Sequence, residues 1–314
     1  MSAIAFNVAP IFILILLGWV IVRIRLLKAE IGDAIGEFVF MIAVPMLMFR
    51  TLAEAHFEGS SPLRLWLAYF FGVAVTWTLG TVMAKYVFKR DARIGVIAGM
   101  SSSFANNIFI GLPLVSRSVG ESGLVALSIL LAVHLPIMMI SGTILMENAV
   151  HKVNGGESRG ILAILKQVGY NLATNPLVIG LLAGLALNVT GLPLTPVLKN
   201  VVDQLASMAG PAALVSLGMA LTRYKISGNL GIVTVTSLLK LLMLPACVFA
   251  ACKVLQLGHD TTLALVLTSS VPSGVNSWLI ANRFNVGQSL AASTISVTTA
   301  FGVLTVSLWS WLIG

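Results

Sequence analysis

Residues 101–120 read SSSFANNIFIGLPLVSRSVG. The stretch lies inside apolar sequence, yet it holds Ser101, Ser102 and Ser103, the adjacent pair Asn106 and Asn107, then Gly111 and Pro113. Proline removes a backbone donor and clashes with the preceding turn, and glycine lets another backbone approach closely. A helix crossing a bilayer here is therefore expected to break near its middle. Broken backbone at that depth is tolerated only where it is buried in protein or lines a cavity. A second stretch, residues 269–278, SSVPSGVNSW, has the same character, with Ser269, Ser270, Pro272, Ser273, Gly274 and Asn276.

The surrounding composition sets the frame. Of 314 residues, 58% are hydrophobic and 10% are charged, with a mean hydropathy of +0.99. Soluble domains carry roughly 25% charged residues, so the chain reads as a polytopic membrane protein. The net charge of +8 does not point to nucleic acid, because the basic residues sit in short loops between apolar runs. Cys247 and Cys252 share one apolar run and read as small packing residues.

Apolar windows of about 20 residues, the length that spans a bilayer, fall near 4–22, 34–53, 65–84, 94–116, 122–146, 174–190, 198–221, 230–252, 261–281 and 288–313. Loops after the odd-numbered windows hold 13 Lys and Arg; those after the even-numbered windows hold Arg64, Arg117, Lys199 and Lys253. The positive-inside rule then places both termini outside the cytoplasm. No Lys or Arg precedes Arg23, so the first window reads as a retained helix rather than a secretory signal. RGILAILKQVGYNLA, residues 159–173, is amphipathic and is expected to lie along the interface.

The two halves resemble each other. MIAVPMLMF, with Pro45, matches SMAGPAALV, with Pro211. An offset of 168 residues pairs Lys85 with Lys253, Ser101 with Ser269, Ser102 with Ser270, Ser128 with Ser296 and Ala132 with Ala300. Five spans per half is an odd number, so the second copy must be inverted. Inverted repeats with interrupted helices at matching positions point to a secondary transporter. The expected architecture is an all-α membrane protein: ten transmembrane helices as two inverted five-helix repeats, with helices 4 and 9 broken and crossing. Residues 1–148 form the first repeat, 149–170 a cytoplasmic linker and interfacial helix, and 171–314 the second repeat. Half-helix N-termini at the crossing would aim partial positive charge at one point. Asparagine amides and free backbone N–H groups there would bind a carboxylate without a formal charge. The alternative is that these residues are packing kinks and interhelical glue.

Three ionisable side chains fall within spans. Arg50 lies one turn beyond Pro45, toward the outer end of its helix; it reads as a snorkelling side chain or a partner for an anion. Lys240 lies ~16 Å into the eighth span at 1.5 Å per residue, near the midplane, where a charge faces the bundle interior. No acidic partner for it is evident. His134, followed by Pro136, is a hydrogen-bonded core residue or a proton relay. No Asp or Glu lies mid-helix in the third to fifth or eighth to tenth spans, which argues against sodium coupling. Polarity concentrated at one depth favours a single alternating-access site over a channel. HExxH, GxSxG and paired intramembrane aspartates are absent, so no enzyme reading, metal or cofactor follows.

The same residues carry a family resemblance. NNIFIGLPLV resembles the N-x-x-x-x-G-x-P-L signature of the auxin efflux carrier family, which includes plant PIN-type carriers and bacterial malonate or malate permease-like proteins. PSGVNSWLIANRFN is similar to that family's second crossover, and VPMLMFRTLAEA to its second helix. The resemblance spans nearly the whole chain. It implies a bile acid–sodium symporter-like fold, with a scaffold of helices 1, 2, 6 and 7 and a mobile transport domain of helices 3–5 and 8–10. Asn106 falls on the family's crossover asparagine, Pro113 on its GxP proline and Pro272 on the second crossover proline; Asn276 sits where plant members are apolar. Residues 147–170 are a short linker where many plant members carry a long insert, which argues for a compact bacterial-type carrier and against auxin as substrate.

The candidate substrate-binding residues are thus Asn106, Asn107, Pro113, Pro272, Ser273, Gly274, Asn276 and Arg50. The candidate ion- or proton-coupling residues are Ser101, Ser102, Ser269, Ser270, His134 and Lys240. The function expected is secondary transport of small organic mono- or dicarboxylates by an elevator-like movement, the alternatives being a sodium-coupled symporter or a channel. The resemblance implies a homodimer in the bacterial inner membrane.

Overall fold

The computed structural model describes residues 2–55, 61–154, 169–170 and 172–314. Residues 155–168 of the expected linker and interfacial helix lie outside the described residues. The described chain is helical, with one isolated β-bridge. In chain order the helices are α1 (Ser2–Arg23), α2 (Ala29–Ala53), α3 (Pro62–Val87), α4 (Ala92–Ser103), α5 (Leu112–Ser118), α6 (Glu121–Asn154), α7 (Pro176–Thr190), α8 (Pro196–Leu221), α9 (Leu230–Val254), α10 (His259–Ser270), α11 (Asn276–Arg283) and α12 (Gln288–Ile313).

Among the described residues, α2, α3, α6, α8, α9 and α12 are long and apolar enough to cross a membrane; α7 and residues Asn7–Arg23 of α1 are shorter apolar helices. At 7 to 12 residues, α4, α5, α10 and α11 are each too short to cross alone. They come as two consecutive pairs, each the remnant of one apolar window. Large apolar side chains such as Ile13, Leu17, Leu67, Phe71, Leu304 and Trp311 stand outward, as a bilayer solvent requires.

Proline alone does not decide where helices break. Pro10, Pro136 and Pro211 sit inside continuous helices. Pro45 and Pro245 each follow a π-helical turn, Val39–Ala43 and Leu239–Met243, which widens the ladder where the proline has no N–H to give. The first interruption falls near the middle of its apolar window, as expected. Helix α4 ends at Ser103, and Phe104, Ala105 and Asn106 are non-helical. Pro113 lies further on and, like Pro45 and Pro245, follows a π-helical turn, Asn107–Gly111, that widens the ladder at the missing N–H.

Packing divides the helices into two groups. Helices α1, α2, α7 and α8 pack on one another; α3 packs on α4 and α9, and α6, α9 and α12 surround the pair α4/α10. Glycines set the closest approaches in the first group. A Cβ on Gly18 would fall 2.1 Å from Val215 O, and one on Gly184 would fall 2.3 Å from Phe49 O. Such small residues replace the hydrophobic drive that lipid cannot supply between helices. In the second group, Gly72 seats Val248 and Gly80 seats the backbone of α4.

Candidate functional site

The two interruptions meet. Ala105 and Ser273 form an antiparallel bridge. Asn106 N donates to Pro272 O at 3.0 Å, and Gly274 N donates to Phe104 O at 2.7 Å. The bridged residues are 168 positions apart in the sequence, and the same offset exchanges the two hydrogen bonds. Extended backbone at Phe104 and Val271 makes this possible; Val271 precedes a proline, which disfavours the helical conformation. Gly274 is needed for proximity: a Cβ there would lie 3.2 Å from both Ala105 O and Phe104 Cδ1. Ser273 ties the crossing to its surroundings. Its N–H donates to Thr298 Oγ1 at 3.0 Å and its hydroxyl donates to Ser101 O at 3.0 Å.

The adjacent asparagines do different work. Asn107 is buried and its amide is fully engaged: Nδ2 donates to Tyr69 Oη at 3.1 Å and meets His134 Nε2 at 3.3 Å, and Oδ1 accepts from Thr268 at 3.1 Å. Because an amide nitrogen can only donate, His134 Nε2 accepts here. The His134 ring is enclosed by Tyr69, Phe70 and Phe104, with centroids 5.4, 6.3 and 5.2 Å away. Asn106 uses Oδ1 to cap Phe109 N at 3.3 Å, while its Nδ2 donates to no atom of the described residues. Asn276 is half-buried at the first position of α11. Pro113 sits beside Gly210 of α8, away from the bridge.

The candidate coupling hydroxyls are mostly spent on their own helices. Ser102 donates to Ala98 O, Ser269 to Val266 O and Ser270 to Leu267 O, each at 2.8 Å. Ser101 Oγ is buried without a partner among the described residues. Lys240, fully buried within the π turn of α9, donates from Nζ to Ser269 O and Val271 O, both at 2.6 Å. Its partners are carbonyls at the buried C-terminal end of a half-helix, not a carboxylate.

Two cavities bear on the reading, and one of them lies beside the crossing. One of about 310 Å³ lies between the two helix groups, lined by Gly36 of α2, Ser216 of α8, and Phe109, Val275 and Trp278 from beside the bridge. Arg223, Asp33 and Tyr224 line it as well. The Arg223 guanidinium pairs with the Asp33 carboxylate, which raises the arginine's pKa above its ordinary value. The other cavity, about 820 Å³, lies at the opposite end and is lined by Arg50, Glu54, Glu121, His259 and Asp260 among others. Arg50 therefore belongs to a different cavity from the crossing. It pairs with Asp203 at 3.6 Å, and Lys199 joins Glu54 and Asp203, so it ties α2 to α8. Tyr69, Thr268, Thr298 and the cavity residues Gly36, Phe109, Ser216 and Trp278 escaped the sequence reading. Isolated threonines, aromatics and glycines in apolar helices carry no local signal that separates them from ordinary packing.

A helical membrane bundle with interrupted helices meeting beside a cavity is the architecture of a transporter. The family model described as "Membrane transport protein" matches residues 3–310, and the chain belongs to that family, the auxin efflux carriers. An uncharacterized transporter of Methanothermobacter thermautotrophicus is 26% identical, covering 97% of this chain and 96% of the relative. An uncharacterized transporter of Methanocaldococcus jannaschii is 24% identical, covering 96% of each. A protein of Rhizobium meliloti named "Putative malonate transporter" is 23% identical, covering all of this chain and 97% of the relative.

Proposed function

We propose that this membrane transporter is a secondary carrier of small organic anions, mono- or dicarboxylates, working by elevator-like alternating access. In this reading the chain makes ten spans as two inverted repeats. Helices α1, α2, α7 and α8 form the scaffold and the remaining helices the moving body. Both termini lie outside the cytoplasm of a bacterial inner membrane, and two copies pair. The observation that carries the reading is the crossing itself: two interrupted helices exchange backbone hydrogen bonds at one offset, with an uncommitted asparagine amide, Asn106 Nδ2, at the junction. Irregular backbone in a membrane protein is kept where it is buried in protein or lines a cavity, and broken helices of this kind mark transporter sites. Substrate is bound from the cavity between scaffold and moving body, by Asn106 and the N-terminus of α11 at Asn276, with Ser273 and Gly274 shaping the floor.

Movement of one body against the other would carry the site between the two cavities. The polar groups buried inside the moving body, Asn107, His134 and Tyr69, travel with it and keep their partners throughout. The test is solid-supported membrane electrophysiology on the purified protein in sodium-free liposomes, with a panel of carboxylates. Malonate comes first, because one relative bears its name. Saturable currents for an acid of that class support the reading. Currents for inorganic cations alone, or unsaturable conductance, would overturn it.

A further inference from the structure

Lys240 is buried beside an array of oxygen atoms that suits a metal cation. Helix α10 stops at Ser270, so its last carbonyls lose their usual donors. Pro272 has no N–H for Thr268 O, and Ser273 N, which would serve Ser269 O, goes to Thr298 instead. The end of a helix carries a partial negative charge of about half an electron. The Lys240 ammonium meets it through Ser269 O and Val271 O. The ion pairs among the described residues, Arg50–Asp203, Arg93–Asp91, Lys199–Glu54, Lys199–Asp203 and Arg223–Asp33, leave Lys240 out. Carbonyl oxygens, then, are the partners of its Nζ. Nearby α4 and α9, which pack together, each contribute one fully buried hydroxyl without a partner among the described residues, Ser101 Oγ and Ser237 Oγ. Carbonyl and hydroxyl oxygens are the ligands hard cations take. The first half of the chain has no equivalent: 168 residues before Lys240 stands Gly72, and Ser101 O is served by the Ser273 hydroxyl.

We propose that the Lys240 ammonium is the resident cation of this site, held covalently in the place a free alkali ion would take, so that this chain needs no sodium and gains a sodium site when the lysine is removed. Shortening the side chain leaves the carbonyls of Ser269 and Val271 facing the space it vacates, which a small cation with water can enter. The transport half of the proposal rests on the function proposed above; the binding half does not.

The experiment measures thermal unfolding of the full chain in detergent, in sodium chloride against choline chloride at about 100 mM, where a ligand of millimolar affinity stabilises by mass action. The wild type is expected to melt at one temperature in both salts. K240S is expected to melt lower in choline and to recover by about 3 °C or more in sodium, saturably. Sodium-specific stabilisation of the wild type would overturn the proposal, since the site would then be open. Indifference of K240S to sodium would overturn it equally. Should K240S not purify, K240Q, which leaves the site an amide in place of the ammonium, is measured in the same way with the same two overturning results. A second arm follows labelled malonate uptake into liposomes, expected to be sodium-stimulated in K240S and not in the wild type. Absence of malonate uptake by both proteins counts against the substrate reading, while the melting result still decides the cation.

Discussion

Ala105 and Ser273, 168 residues apart, face each other as the bridged pair of an antiparallel crossing. Each is flanked by one residue that donates and one that accepts across the junction: Asn106 N to Pro272 O, Gly274 N to Phe104 O. Two helices interrupted separately would each leave orphan backbone groups in the membrane interior, at a cost of several kcal/mol per group. Interrupted together, they satisfy one another. The crossing is thus a joint requirement of both halves of the sequence, and neither break is tolerable without the other.

The contact at Gly274 gives a direct test of that closure. A Cβ there would lie 3.2 Å from Ala105 O, so alanine needs a small adjustment, whereas valine must part the strands. G274V is expected to lose about 1–3 kcal/mol of stability, as overpacking does, and to lose flux even where protein is recovered. G274A should keep most of both. Unchanged melting of G274V would mean that the crossing is looser than its geometry.

Asn106 serves two roles that can be separated. Its Oδ1 caps Phe109 N, a bond worth about 1 kcal/mol, and its Nδ2 is assigned to the substrate. N106A removes both; N106D keeps a capping acceptor and removes the donor. Both variants are expected to lose carboxylate transport, but N106D should melt close to the wild type and N106A lower. Transport by N106D at wild-type rate would take the amide out of the binding site.

Asn107, one residue later, is expected to behave as structure. N107A would leave Tyr69 Oη, Thr268 Oγ1 and His134 Nε2 without their shared partner in a buried site. Each buried polar group so stranded costs about 1–3 kcal/mol. Low recovery and a depressed melting temperature are the expected result. A stable N107A that binds substrate poorly would return Asn107 to the binding set.

These two asparagines show where sequence reading stops. Adjacent identical residues in an interrupted segment carry the same composition signal, and only the direction of each side chain separates a cap from a core hydrogen-bond hub. The stretches that interrupt the helices were legible, because serine, glycine, proline and asparagine stand out against an apolar background. What closes the first break was not: the chain opens at Phe104–Asn106, near the middle of its apolar window, and the missing bonds come from a partner strand 168 residues away. The partner of Lys240 was illegible for a related reason. The expectation sought a carboxylate, and carbonyl oxygens have no letter in the sequence. Arg50 reads alike as a snorkelling group or an anion ligand until Asp203, far along the chain, is brought to its side.

The start of α4 offers a pH test outside the membrane interior. Asp91 accepts from Arg93 N at 2.9 Å and Ile94 N at 3.0 Å, and its other oxygen accepts from the Arg93 guanidinium. The Arg93 hydrogen bond, chiefly, holds the Asp91 carboxyl below its ordinary pKa. A depressed folded-state pKa contributes stability above the unfolded value, about 3.9, and that contribution is lost as pH falls through the lower folded value. D91A is expected to cost about 1 kcal/mol at neutral pH. The gap to wild type should stay constant down to about pH 5 and narrow in more acid solution. A gap independent of pH would show that the cap is not the source of the loss.

The smaller cavity sets the last expectation. Gly36 faces Ser216 and Phe109 across it: a Cβ would lie 2.8 Å from Ser216 Oγ and 3.8 Å from Phe109 Cε1. The near neighbour is the end of a side chain that can rotate, so G36A should fold with stability within about 1 kcal/mol of wild type. The methyl group nevertheless takes space between the scaffold and the crossing. Displacement of a bound substrate by about 1 Å costs on the order of a hundredfold in a positioned process, and the larger acid feels it first. Malonate flux is therefore expected to fall further than acetate flux in G36A. Equal losses for both acids would indicate a change in movement rather than in fit. Unchanged flux for both would remove this cavity from the substrate's path.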